Sequence, residues 1–294
     1  MTHLRQLMLD ELQRRNYSQS TTRCYLHAVE DFARYFHRSP ERLGPDHIRQ
    51  YQVHLFRDRK LSPGTIGLRT CALRFLYVKT LGRPYLPDHI PFPKRPLRLP
   101  TILDQQEVAR LIDSASNLMH RTMMMMLYAT GLRRAEMCHL KVADIDSERR
   151  LIRVERGKGG RYRNAMLPAD LLTLLREWWK AGRQLGVMHA QGWLFPGQNA
   201  MRPISTRQLH RVAVEAARAA EITKRVGPHT LRHSFATHLL EDGVDIRVIQ
   251  ALLGHAKLEN TAFYTQVATR TVRAVTSPLD KLGLFIPRQV TPDS

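Results

Sequence analysis

The hydrophobic positions of the first eighty residues recur at helical spacing. Leu4, Leu7, Met8 and Leu12 fall on one face of a first helix, and Tyr25, Val29, Phe32 and Phe36 mark a second. Ile48, Tyr51 and Leu55, led in by Pro45-Asp46, predict a third. Ser62-Pro63 opens a fourth, with a capping hydroxyl followed by a proline whose missing N–H costs nothing at that position. This helix carries Ile66, Leu73 and Leu76 and ends near Leu81-Gly82. Four such helices with short joints make a small bundle over residues 1–83.

The texture then changes. Pro84, Pro87, Pro91, Pro93, Pro96 and Pro100 exclude a helix, and Lys94, Arg95 and Arg98 make the stretch basic. Residues 84–102 read as an interdomain linker able to lie along a phosphate backbone. A second domain, 103–275, opens with an Asp104/Glu107 capping box ahead of Val108, Leu111 and Ile112. Helices are expected over 118–129, 134–140, 169–184, 206–220, 230–241, 244–253 and about 259–268. Ile145, Ile152 with Val154, and Ala165 to Leu167 read as short strands, two of them flanking a Gly157-Lys158-Gly159-Gly160 turn. The Met123–Met126 run and the aromatics Trp178, Trp179, Trp193 and Phe195 read as packing residues. Residues 276–294 form a C-terminal tail whose Leu279, Leu282, Leu284 and Phe285 are more apolar than a free tail needs.

Charge adds a partner. The 294 residues carry 46 Lys and Arg against 26 Asp and Glu, a formal net charge of +20. The excess divides evenly between residues 1–100 and the remainder, so it is not a basic tail on a neutral body. A polyanion is the natural partner, and nucleic acid is a better match than a membrane surface. Arg57, Arg59, Lys60, Arg69 and Arg74 decorate the bundle and, with Lys94, Arg95 and Arg98, are candidate DNA contacts. No apolar run long enough to span a membrane and no N-terminal signal segment is present, which predicts a cytoplasmic protein. Cys24, Cys71 and Cys138 are three widely spaced thiols without a CxxC, so neither a disulfide framework nor a cysteine zinc site is indicated.

Three segments carry candidate chemistry. In Gly227-Pro228-His229-Thr230-Leu231-Arg232, Thr230 can cap a helix that places His229 and Arg232 at its start, where N–H groups and a guanidinium fork suit an anion. In Gly131-Leu132-Arg133-Arg134-Ala135-Glu136, a buried acid can hold an arginine after a glycine break. Lys158 sits at a hairpin tip, outside any P-loop pattern. His-Glu-x-x-His and tight carboxylate pairs are absent, so no metal and no other cofactor is expected.

Taken in order, Tyr128–Glu136, Gly157–Gly159, His229–Leu240, Leu253-Gly254-His255 and Tyr264 resemble the signature of the tyrosine recombinases, or phage integrase family. The first domain is similar to the SAM-like core-binding domain of bacterial chromosome-dimer recombinases and integron integrases. The resemblance implies a mainly α fold: an N-terminal SAM-like helical bundle plus a mostly helical catalytic domain with a small antiparallel β-sheet. It implies Tyr264 as nucleophile and Arg133 with Arg232 as the phosphate-stabilising pair. Lys158 becomes the general acid, His229 the general base and His255 a phosphate hydrogen-bond donor, while Glu136 supports Arg133. Gln266 stands where the family often has histidine, and residues 256–263 depart from its usual Ser/Thr-rich stretch.

The implied activity is site-specific recombination of double-stranded DNA through a 3′-phosphotyrosyl link and a Holliday junction, without metal or ATP. A homo-tetramer on paired sites is implied, with room for a partner recombinase or a directionality factor, and with the C-terminal tail docking on a neighbouring subunit. Relaxation of supercoils by a type IB topoisomerase-like reaction, and non-catalytic DNA binding as an accessory protein, are the alternatives.

Overall fold

The computed structural model describes residues 2–83, 90–94, 99–154, 163–254 and 261. The chain divides into two compact units between Arg98 and Leu99.

The first unit is helical. Helices α1 (His3–Arg14), α2 (Gln19–Phe36), α3 (Pro45–Arg57) and α4 (Pro63–Phe75) follow the apolar stripes, and α4 continues as a π turn over Leu76–Thr80. Ser18 and Ser62 cap α2 and α4 by accepting the Thr21 and Thr65 amides. Leu4, Met8, Leu12, Phe32, Ile48, Tyr51, Leu55, Ile66, Leu73 and Leu76 form the core. Leu7, expected on the buried face, is 38 % exposed, because the Leu4–Met8–Leu12 stripe alone fills the contact. A 3-10 turn over Pro40–Arg42, unforeseen from the sequence, is tied down by Tyr77, whose hydroxyl donates to the Pro40 carbonyl at 2.9 Å.

In the second unit the Asp104/Glu107 capping box forms in both directions and starts α5 (Gln105–Asp113). Asn117 caps α6 (Leu118–Thr130), whose Met123, Met124 and Met126 are fully buried, as core packing requires. The short α7 (Arg134–Cys138) leads into the sheet. Strands β1 (Ile145–Asp146), β2 (Leu151–Val154) and β3 (Arg163–Met166) pair antiparallel in sequence order, with Ile152 opposite Ala165. Helices α8 (Ala169–Gln184), α9 (Thr206–Ala219), α10 (Pro228–Glu241) and α11 (Ile246–Leu253) complete the described part. Residues 262–268, most of the last expected helix, and the tail 276–294 lie outside the described residues.

Helix α10 is the centre of this unit. It packs against α6, α9 and α11, and Leu231, Ser234, Phe235, Ala236, Thr237 and His238 are all buried. Several of its polar side chains meet distant partners, whereas the buried Thr237 hydroxyl has none among the described residues. The Ser234 hydroxyl accepts the Leu103 amide at 2.9 Å, and the Tyr128 hydroxyl lies 2.8 Å from His238 Nδ1. Trp178 is buried with its indole N–H on the Leu194 carbonyl, and Phe195 is fully buried.

Candidate active site

Where α6 ends, Gly131 adopts φ +59°. A Cβ there would lie 2.5 Å from Phe235 Cδ1 and 2.8 Å from Leu253 Cδ2, so both the conformation and the space require glycine. The turn makes Arg133 the N-cap of α7 and puts Glu136 at its third position. The Glu136 carboxylate accepts the Arg133 backbone N–H at 2.9 Å and Arg133 Nη1 at 2.6 Å. One side chain therefore caps the helix and orients the arginine.

Arg232 comes from the second turn of α10. The helix starts two residues earlier than Thr230 predicted: Gly227 is its N-cap, Pro228 occupies the first turn, and the Thr230 hydroxyl reaches back to accept the Gly227 amide at 3.1 Å. Proline suits that first position, because its N–H would have no partner there in any case. Arg232 is consequently inside the protein, 3 % exposed, with Nη1 donating to the Gly131 carbonyl and Nη2 to the Leu253 carbonyl at 2.8 Å.

Arg133 Nη2 donates to the next carbonyl, Gly254, at 2.9 Å. Two arginines 99 positions apart in sequence thus hold adjacent peptides at the end of α11. Helix ends leave carbonyls unpaired and carry partial negative charge, which suits cations. A third guanidinium joins them. Arg163 on β3 donates Nη1 to the Leu252 carbonyl at 2.6 Å and Nη2 to Glu136 at 2.8 Å. Arg163 lies outside every motif that the sequence singles out. Its signal is strand alternation, because Arg163 shares a strand face with the buried Ala165, and a cation on an inward face demands a carboxylate.

Burial by itself would raise the pKa of Glu136. The Arg133 amide and the charges of Arg163 and Arg133 outweigh it and hold the carboxyl below its ordinary value. His229, at the start of α10, has an exposed ring that protein atoms nonetheless crowd. That loss of hydration, followed by the charges of Arg134, Arg232, Arg133 and His210, lowers its pKa below the ordinary histidine value. Burial, then His229 and Arg232, drives His233 down to about 4. Both imidazoles are therefore neutral at pH 7, and a neutral imidazole can accept a proton.

Lys158, His255 and Tyr264 lie outside the described residues. Lys158 belongs to the segment joining β2 and β3, and His255 directly follows Gly254. Among the described residues, no group of three or more His, Cys, Asp or Glu side chains is placed to hold a metal.

The first unit sorts its basic residues. Arg59 and Arg69 both bind Asp31, Arg59 at 2.6 Å, and the Tyr51 hydroxyl donates to the same carboxylate at 3.0 Å. The Arg69 side chain is only 12 % exposed, so its charge is committed within the bundle. Arg57, Lys60 and Lys94 are exposed, and Arg74 lies over the Phe92 ring at 4.7 Å. Arg95 and Arg98 lie outside the described residues.

Residues 101–270 match the model of the phage integrase family, and residues 4–86 match its N-terminal SAM-like domain. The chain belongs to the phage integrase family. Integrase/recombinase y4qK of Sinorhizobium fredii is 43 % identical over 96 % of this chain and 90 % of its own length. Tyrosine recombinase XerA of Pyrococcus furiosus is 37 % identical over 71 % of this chain and 72 % of its own. Among solved structures, XerH site-specific recombinase bound to its palindromic difH substrate shares the fold, with a TM-score of 0.69 at 23 % identity over 88 % of this chain and 80 % of that one. The chain is thus a tyrosine site-specific recombinase, an enzyme, with the mainly helical two-part fold its sequence predicts. No helix among the described residues is long and apolar enough to cross a membrane.

Proposed function

We propose that this recombinase breaks and rejoins duplex DNA through Tyr264, with Arg133 and Arg232 on the non-bridging oxygens of the scissile phosphate. The observation that carries this reading is the meeting of those two arginines on the adjacent Leu253 and Gly254 carbonyls. A phosphodiester repels a nucleophile, and negative charge accumulates on its oxygens during displacement, so two fixed guanidinium groups stabilise the transition state without a metal. An ordinary phenol has a pKa near ~10 and needs a base at neutral pH. His229 is held neutral at the edge of the cluster and takes the Tyr264 proton. The phenolate oxygen bonds to phosphorus in line, and the 5′-oxygen leaves with a proton from Lys158. His255 supplies a further hydrogen bond to the phosphate. The product is a 3′-phosphotyrosyl ester. One phosphodiester has replaced another, so a 5′-hydroxyl from a second duplex reverses the step and no ATP is consumed.

Two duplexes and four cleavages call for a homo-tetramer on paired sites, with a Holliday junction between the two rounds. The XerH structure is described as a post-cleavage complex with DNA, which supports the same chemistry here. Arg57, Lys60, Arg74 and Lys94 are the first-unit residues best placed to contact phosphates, and neutralising several makes binding fall steeply with salt. A partner recombinase or a directionality factor, and docking of the tail on a neighbour, belong to the same reading, as does a cytoplasmic location.

The test uses a nicked duplex carrying the site that the Tyr264→Phe protein selects from random DNA. The wild type should give a slow-migrating covalent band on a denaturing gel, in chelator as well as without it, and Tyr264→Phe should give none while still binding. An adduct that survives Tyr264→Phe, or one lost in chelator, overturns the mechanism. Non-covalent binding without any adduct would favour an accessory DNA-binding role.

A further inference from the structure

The chemistry proposed above uses two of the three guanidinium groups at the end of α11 and leaves the third, Arg163, without a task. Its side chain is 10 % exposed, and both arms of its fork are taken up by protein partners. Its pairing with Glu136 is by itself weak evidence that stability selected an arginine here. Its Nε is buried with no hydrogen-bond partner among the described residues, a cost that an apolar side chain of similar length would not carry.

What an apolar side chain could not do is join two places at once. The Arg163 fork holds Glu136 Oε2 at 2.8 Å and the Leu252 carbonyl at 2.6 Å. The other oxygen of the same carboxylate, Oε1, holds Arg133 Nη1 at 2.6 Å, so turning that carboxylate turns Arg133 with it. Gly254, at φ +61°, packs on the Arg163 stem so closely that a Cβ would lie 2.7 Å from Arg163 Cδ. The chain passes over this stem on its way to His255 and Tyr264. Arg163 also opens β3, the strand that follows the segment holding Lys158.

We infer that Arg163 is a positioning residue: it ties Glu136, and through it Arg133, to the end of α11, and so sets the aim of Arg133 at the scissile phosphate. This rests on the reading of the site given above. A lysine keeps the charge but has no planar fork, so it cannot hold the carboxylate and the carbonyl in the same geometry.

Two measurements on the full-length protein test it. The first needs no DNA. Hydrogen exchange in the peptide covering residues 246–254 should speed up about 10-fold in Arg163→Gln and in Arg163→Lys, with residues 4–83 unchanged, because loss of the Leu252 contact makes local opening of this helix end easier. Unchanged exchange in Arg163→Gln, or full rescue in Arg163→Lys, overturns the bridge. The second compares single-turnover cleavage of the selected nicked duplex with the same duplex bearing a neutral methylphosphonate at the scissile position. A misaimed arginine matters where there is charge to stabilise. Arg163→Gln should therefore lose about 10- to 100-fold on the phosphodiester, the range for residues that orient another functional group. On the methylphosphonate it should stay within about 3-fold of the wild type. Equal losses on both substrates would mean a general structural defect and overturn the positioning role. If the wild type forms no adduct at all, the strand-cleavage reading fails, and the exchange measurement still decides whether Arg163 ties α11 to Glu136.

Discussion

Replacing Glu136 by glutamine keeps the volume of the side chain and removes the negative charge that pairs with both Arg133 and Arg163. The Glu136 side chain is 2 % exposed and accepts three hydrogen bonds: the Arg133 amide, Arg133 Nη1 and Arg163 Nη2. Glutamine offers a single acceptor oxygen, and its NH2 would be forced against a guanidinium N–H. Arg163, 10 % exposed, would be left as a buried cation without its counter-charge. Breaking a buried pair on one side costs about 3–5 kcal/mol. Arg133 retains 21 % exposure and part of its hydration, which favours the lower end, near ~3 kcal/mol. For a unit of this size each kcal/mol moves the melting temperature by about 2–4 °C, so a drop of roughly 6–12 °C is expected. Trp178, Trp179 and Trp193 are the chain's 3 tryptophans and all lie in the second unit, so thermal unfolding followed by tryptophan fluorescence reads that unit alone.

The same substitution makes a pH-dependent claim. Because the folded pKa of Glu136 lies below its unfolded value, its contribution is complete above the unfolded pKa of about 4.3 and disappears as the pH falls through the folded pKa. The gap between wild type and Glu136→Gln should be widest at pH 7 and shrink progressively below pH ~4. A gap under ~2 °C at pH 7, or one that persists undiminished in acid, would refute the reasoning.

Two further outcomes follow from the same corner. Gly131→Ala combines left-handed backbone strain of about 1–2 kcal/mol with overpacking of about 1–3 kcal/mol against Phe235 and Leu253. Gly243→Ala, at φ +84° with open space around it, should cost the strain alone; equal melting temperatures for the two variants would show that the close approach to Phe235 is not rigid. His233, with its folded pKa at about 4, binds a proton in the unfolded chain but not in the folded one between pH ~6.5 and 4. The stability it contributes is present above pH ~6.5 and lost on acidification, so the pH profile of urea midpoints should be flatter over that window in His233→Gln, and parallel profiles would contradict it.

Much of this architecture is legible in the sequence because local rules set it. Ser62-Pro63, the Asp104/Glu107 box and the glycine after α6 start or stop helices through contacts within a few residues, and the structure shows each of them. At the start of α10 two local rules compete: Thr230 has the chemistry of a cap, but Pro228 next to an extended Gly227 fixes the first turn earlier and turns Thr230 into the reciprocal partner. Charge count alone makes Arg59 and Arg69 candidates for a DNA face, and the structure adds a shared carboxylate partner. Asp31 sits on α2, 28 and 38 residues away, and no local pattern announces that it binds both of them.

The candidate site shows the same division more sharply. Arg133 and Glu136 are three residues apart on one helical turn, so their pairing follows from spacing. Arg232 and Arg163 carry local signals, but the carbonyls they hold belong to α11, 21 and 89 residues further on, and no local pattern announces that meeting. Helix α10 has no clear polar side: Thr230, Arg232, Ser234, Thr237 and His238 are buried beside Leu231, Phe235 and Ala236. Buried polar groups are costly unless partners meet them, and those of Ser234, His238 and Arg232 come from Leu103, Tyr128, Gly131 and Leu253, each in a different part of the chain. A helix that is polar inward is therefore a statement about the whole unit, not about its own fourteen residues. The same reasoning ties stability to catalysis. The end of α11 is held by three cations, two of them the arginines proposed to take the phosphate and the third the one proposed to aim Arg133, so loosening any one of them should disturb the fold and the site together.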